Sequence, residues 1–115
     1  MDNDSLQTLC HRLEQFRDDR DWEQFHSPKN LIMAINGEAG ELASLVQWAN
    51  NSGIFTDIRL QNAVTKEMAD VFIYLINLAN VLEIDLIEAA NLKIDDNGVR
   101  YPISKFKGIS DKAGK

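Results

Sequence analysis

Apolar residues along this 115-residue chain recur at intervals of three and four almost throughout. Nowhere do they alternate over the length of a strand, so the spacing predicts an all-α fold. Leu6, Leu9, Leu13 and Phe16 mark a first helix over about residues 5–20. Asp21 to His26 breaks the period and reads as an ordered loop. Ser27-Pro28 then supplies a hydroxyl cap followed by proline at the first helical position, which starts a second helix running to about Ala49. Asn50-Asn51-Ser52-Gly53 is turn chemistry. Thr56 or Asp57 caps a third helix to about Leu82. Asp85 caps a short fourth, which Asn97-Gly98 is expected to end. The expectation is a four-helix bundle in one domain spanning residues 1–115, with a flexible basic tail from about 103.

Charge excludes some functions. The net charge is -6, from 18 acids against 12 bases, which argues against a purely electrostatic grip on nucleic acid. In residues 99–115, Arg100, Lys105, Lys107, Lys112 and Lys115 face Asp111 alone, a local +4 that leaves the first 98 residues at -10. Cys10 is the sole cysteine, so neither an intrachain disulfide nor a zinc site of several thiolates can form. Met1-Asp2-Asn3-Asp4 is not an ordinary secretory signal. The longest apolar run, Val71 to Leu82, is broken by Asn77 and Asn80 and is too short to span a bilayer. A cytoplasmic protein with no membrane partner is expected.

Four carboxylates sit where a helix should be apolar. On a wheel of about 100° per residue, Glu38 falls within the stripe formed by Leu31, Ile35, Leu42, Leu45 and Val46, and Glu41 on its edge. On the third helix, Leu60, Val64, Val71, Tyr74 and Leu78 surround Glu67, with Asp70 on the border. Each pair has i,i+3 spacing. An unpaired carboxylate in such a place is costly unless neutralised. Lys66, the nearest base in sequence, points elsewhere. A cation shared by Glu38, Glu41, Glu67 and Asp70 is the economical solution, and an all-oxygen set favours Mg²⁺, with Mn²⁺ as a substitute.

The same residues carry a family likeness. Asn36-Gly37-Glu38-Ala39-Gly40-Glu41-Leu42 and Glu67-Met68-Ala69-Asp70-Val71 resemble the ExxE…ExxD signature of the MazG-like, all-α nucleotide pyrophosphohydrolases. Phe16-Arg17-Asp18, Arg20 through Leu31, Gln47-Trp48, Ile73-Tyr74-Leu75, and Lys93 through Asn97 to Arg100-Tyr101-Pro102 resemble its dCTP pyrophosphatase branch. The resemblance implies a nucleoside triphosphate substrate cut between the α and β phosphates, and a homo-oligomer, commonly a tetramer built from dimers. It implies magnesium ligands at Glu38, Glu41, Glu67 and Asp70, which would serve as the catalytic residues. Lys29, Lys93, Asn97, Arg100 and Tyr101 lie in the matching segments as substrate contacts. The sequence departs from relatives at Gly37, where many have glutamate; at Leu13, where some have a base-contacting histidine; and at Ala113, where a tyrosine is common.

Trp22, His26 and Trp48 are the candidates for the base pocket, with Tyr74 against the sugar, because aromatic faces stack on nucleobases. Phe72, Ile73, Ile76 and Ala79 make the third helix apolar nearly all round, which calls for cover by a second subunit and suggests an obligate oligomer. Two alternatives stay open. One keeps the chemistry with a dUTP or purine dNTP preference. The other is a non-catalytic helical module whose acidic faces meet a basic partner, which requires Glu38 and Glu67 to be exposed.

Overall fold

The computed structural model describes residues 5–113, and every regular element among them is helical. The acidic stretch at residues 1–4 and Lys115 of the basic tail lie outside the described residues. The chain divides after Glu83 into two compact units.

The first unit begins with α1, Leu6–Asp19, capped by the Ser5 hydroxyl accepting from the Thr8 amide. A short 3₁₀ turn, Glu23–Phe25, follows. It is preceded by Asp21 in the left-handed region, φ 52°, which folds the chain back so that the Trp22 amide donates to the Arg17 carbonyl at 3.0 Å. Helix α2, Pro28–Val46, starts as its sequence dictates: the Ser27 hydroxyl accepts from the Asn30 amide, and Pro28 occupies the first turn.

Helix α4, Ile58–Leu82, is the longest element, with the Asp57 carboxylate accepting from the Arg59 and Leu60 amides. It ends where Glu83 turns left-handed, φ 56°, and donates back to the Ala79 and Asn80 carbonyls. Helix α2 makes the most extensive packing against α4, with α1 against the same helix. Leu31, Ile76 and Ala79 form the fully buried centre, at 2%, 1% and 8% exposure.

Two expectations are corrected here. The Asn50–Gly53 segment is not merely a turn: the Asn50 side chain accepts from the Gly53 amide at 2.8 Å and caps a short helix, α3, Asn51–Thr56. The property that suits asparagine to turns also suits it to N-caps. The fourth expected helix also runs further than predicted. In the second unit α5 spans Leu86–Arg100, capped by Asp85, and passes straight through Gly98. Glycine costs such a helix only about 1 kcal/mol. Pro102 is the real stop, because it drives the preceding Tyr101 out of the helical region, to φ -123° and ψ 63°. Pro102 opens a last turn, α6, Ile103–Phe106, and the Tyr101 and Phe106 rings meet edge-to-face at 4.9 Å.

No helix among the described residues is long and apolar enough to cross a membrane. Cys10 lies half-buried on α1, as a free thiol.

Candidate metal centre and adjoining pocket

The packing of α2 on α4 brings one acid from the first helix onto two from the second. One carboxylate oxygen from each of Glu38, Glu67 and Asp70 lies within 4.8 Å of the others. Glu38 and Glu67 are half-buried, and each has an Oε2 sealed from solvent with no hydrogen-bond partner. Two sealed carboxylate oxygens without a donor are expensive, and the described residues place no lysine or arginine in an ion pair with them. A module with freely exposed acidic faces is therefore disfavoured.

The repulsion is visible in the protonation of Glu38. Its pKa is pushed up to about 7, chiefly because a proton held between it and Glu67 stabilises the neutral form. Partial burial adds to this, as do the negative charges of Glu41, Glu67 and Asp70. Glu41 is exposed on α2 and falls outside the close set of three oxygens, although its charge reaches Glu38. The donor set is all carboxylate oxygen and the orphaned atoms converge, so these residues fit a hard divalent cation.

A cavity of about 430 Å³ adjoins this cluster through Asp70, which lines it. Its walls come from α1, the loop after it, and one face of α4: Leu9, Arg12, Leu13, Phe16, Arg17, Trp22, His26, Asp70, Ile73, Tyr74 and Asn77. Of the expected base-pocket residues, Trp22, His26 and Tyr74 meet here. Trp22 stands edge-on to Phe16, centroids 5.7 Å apart, and the Arg20 guanidinium covers the same Phe16 ring at 3.6 Å. His26 Nδ1 is buried without a partner. Burial first, and then the charge of Arg17, lower the His26 pKa and keep the imidazole neutral near pH 7. Arg17 is itself paired with Asp18 at 3.1 Å.

Two other expected contacts of the first unit do not line this cavity. Trp48, just beyond α2, is 91% exposed and does not line it, nor does the exposed Lys29 in the first turn of α2. Lys93, Asn97 and Arg100 follow one face of α5 in the second unit, at spacings of four and three. Lys93 makes a surface pair with Asp96 at 3.7 Å, Arg100 lies 5.7 Å from the Tyr101 ring, and Asn97 is half-buried. The wheel missed Arg12, Arg17 and Asn77. The two arginines sit on α1, where the apolar stripe dominates the pattern. Asn77 interrupts an apolar run, and that interruption is the available signal.

Comparison with known proteins follows the same lines. The chain is 41% identical over 111 residues to dCTP pyrophosphatase 1 of Mus musculus, covering 94% of this chain and 65% of that protein. The Homo sapiens protein of the same name is 42% identical over 111 residues, with 94% and 65% covered. The chain thus spans just under two thirds of the length of these curated relatives. A solved pyrophosphatase from Archaeoglobus fulgidus DSM 4304 superposes with a TM-score of 0.77 at 39% identity, covering 84% of this chain and 92% of that one. The model of the MazG-like family matches residues 33–115, which includes α2 from Met33 onward, all of α4 and the whole second unit. With an all-helical fold, facing acids on α2 and α4, and a match over most of its length, this chain belongs to the MazG-like family.

Proposed function

We propose that this chain is a Mg²⁺-dependent pyrophosphohydrolase that cuts a nucleoside triphosphate, dCTP or a modified dNTP, into monophosphate and pyrophosphate. The observation that carries the reading is that Asp70 belongs at once to the carboxylate cluster and to the wall of the aromatic cavity. A polyphosphate and a base have to be held side by side, and this arrangement offers a cation-binding end and a stacking end in contact. Nucleotide-pool house-cleaning in the cytoplasm is the role this chemistry suits.

Glu38, Glu67 and Asp70 would hold the metal, with Glu41 beside them. The metal, when bound, would neutralise the triphosphate against the carboxylates and acidify a water molecule. The chain's own residues do the rest. Trp22 and Tyr74 would sandwich the base and sugar, with neutral His26 on the same wall. Partial burial excludes bulk water around Glu38 and Glu67 and strengthens every charge interaction there. Positioning and charge stabilisation suffice, without a covalent nucleophile.

The reading keeps Lys29, Trp48, Lys93, Asn97, Arg100 and Tyr101 as substrate contacts through the family likeness. The Lys93–Asp96 pair is 62% exposed on both sides, so it is easily exchanged for a phosphate. The four long helices would form the family's bundle as a single domain. A dimer-based homo-oligomer, commonly a tetramer, is part of the same reading. A groove of Leu42, Met68, Ala69, Val71, Phe72 and Leu75 on α2 and α4 supports it, as do the exposed Ile87, Leu92, Ile94 and Val99 on α5.

The test is calorimetric titration of Mg²⁺ beside turnover of a dNTP panel. Wild type should bind the ion and turn over. Glu38→Gln and Glu67→Gln should lose both while remaining folded. Turnover that persists in both variants would overturn the site.

A further inference from the structure

The cavity wall carries a side-chain amide for which the proposed chemistry has no use. Asn77 lies on α4 in the middle of an otherwise apolar run, half-buried and lining the cavity. Its side-chain amide makes no hydrogen bond among the described residues. Asparagine is a weak helix former, so its place inside α4 asks for a reason.

The other polar groups on the wall are committed, chemically one-sided, or, like the Tyr74 hydroxyl, a single atom rather than a paired donor and acceptor. Asp70 belongs to the carboxylate cluster, and Arg17 is engaged with Asp18 at 3.1 Å. His26 Nδ1 is sealed from solvent, and Arg12 can only donate. The Asn77 amide offers a donor and an acceptor side by side in one plane, which is the pattern of a nucleobase edge.

Its place along the helix also fits. Asp70, Tyr74 and Asn77 lie on one face at intervals of four and three. The seven residues from Asp70 to Asn77 rise about 10 Å, comparable to the span of a nucleoside monophosphate from phosphorus to the far edge of its base. The order along α4 is metal-ligating carboxylate, aromatic ring, amide. A bound nucleotide runs phosphate, sugar, base.

We infer that Asn77 is a specificity-determining residue, its amide hydrogen-bonding the edge of the substrate's base on the cavity wall. This rests on the triphosphate reading above. It makes base selection a property of an amide on α4, in addition to the stacking supplied by the loop after α1. Leu13, also on the wall, cannot make such a bond.

The test is Asn77→Leu, which keeps the size of the side chain and removes its hydrogen bonds. Pyrophosphate release would be measured from dCTP, dUTP, dTTP, dATP and dGTP with Mg²⁺, alongside thermal melting. KM for the favoured nucleotide should rise roughly ten- to hundredfold, with kcat little changed and the ranking of the five bases flattened. The melting temperature should hold or rise, a result that a structural role for Asn77 would not give. If Asn77→Leu does not fold, Asn77→Ala answers the same question. Unchanged KM and base ranking in a folded variant would overturn the inference while leaving the triphosphate reading intact. Wild-type protein that turns over none of the five would remove that reading, and this inference with it.

Discussion

Glu38 on α2 and Glu67 on α4 face each other with a carboxylate oxygen apiece, both Oε2, sealed from solvent and lacking a donor. Two acids of one sign in such contact share a proton or a cation, and the competition between the two has measurable consequences.

The first consequence is a pH dependence of metal-free stability. Glu38 releases its proton near 4.5 when unfolded and near 7 when folded. Between those values the folded state holds a proton that the unfolded state has lost, so this group makes stability fall as pH rises from about 4.5 to about 7. His26 acts in the opposite sense: its pKa is lowered from 6.5 in the folded state, so its contribution falls as pH drops below that value. The difference in melting temperature between wild type and Glu38→Gln isolates the carboxylate. That difference should widen in favour of the variant up to about pH 7 and then level off.

Proton and Mg²⁺ compete for the same oxygens. Affinity for Mg²⁺ should therefore rise with pH and flatten above the Glu38 pKa of about 7. Calorimetric titrations at three pH values check this. An affinity independent of pH between 6 and 8 in that series would contradict a ligand role for Glu38.

Much of this was legible in the sequence, and the parts that were not have identifiable reasons. The facing acids were visible because a wheel detects a charge inside an apolar stripe, and Glu38 and Glu67 are indeed half-buried. The caps at Ser27, Asp57 and Asp85 form as their side chains dictate. Gly98 misled because a glycine within a helix and a glycine after one look alike in sequence, and only Pro102 decides where α5 ends. Trp48 was grouped with Trp22 because both are aromatic, yet residue type cannot say which wall a ring joins. Asn77 faces the cavity because of where α1 packs on α4, which no local pattern encodes.

Trp22 stands against Phe16 at the cavity rim, 44% exposed. Trp22→Ala should raise KM about tenfold, as expected for one lost base-stacking contact. Stability should change little, since the ring is only partly buried. Steady-state kinetics on the favoured nucleotide is the check.

Gly98 sits within α5 with nothing within 4 Å of where a Cβ would lie. Gly98→Ala should stabilise the protein by up to about 1 kcal/mol, through helix propensity alone. Urea denaturation measures it, and a destabilised variant would mean that the helix does not run to Arg100.

Phe72 is 45% exposed beside the apolar groove of α2 and α4. Phe72→Glu should lower the mass seen by light scattering to that of a single chain. An unchanged mass would contradict a subunit contact at this groove.

The central claim is that the carboxylate cluster and the aromatic cavity act on one triphosphate. Phosphorus-31 spectra of dCTP incubated with the protein and Mg²⁺ test it most directly. The account predicts dCMP and pyrophosphate, no orthophosphate, and no reaction when Glu67 is replaced by glutamine. Accumulation of dCDP and orthophosphate, or turnover untouched by that substitution, would contradict it.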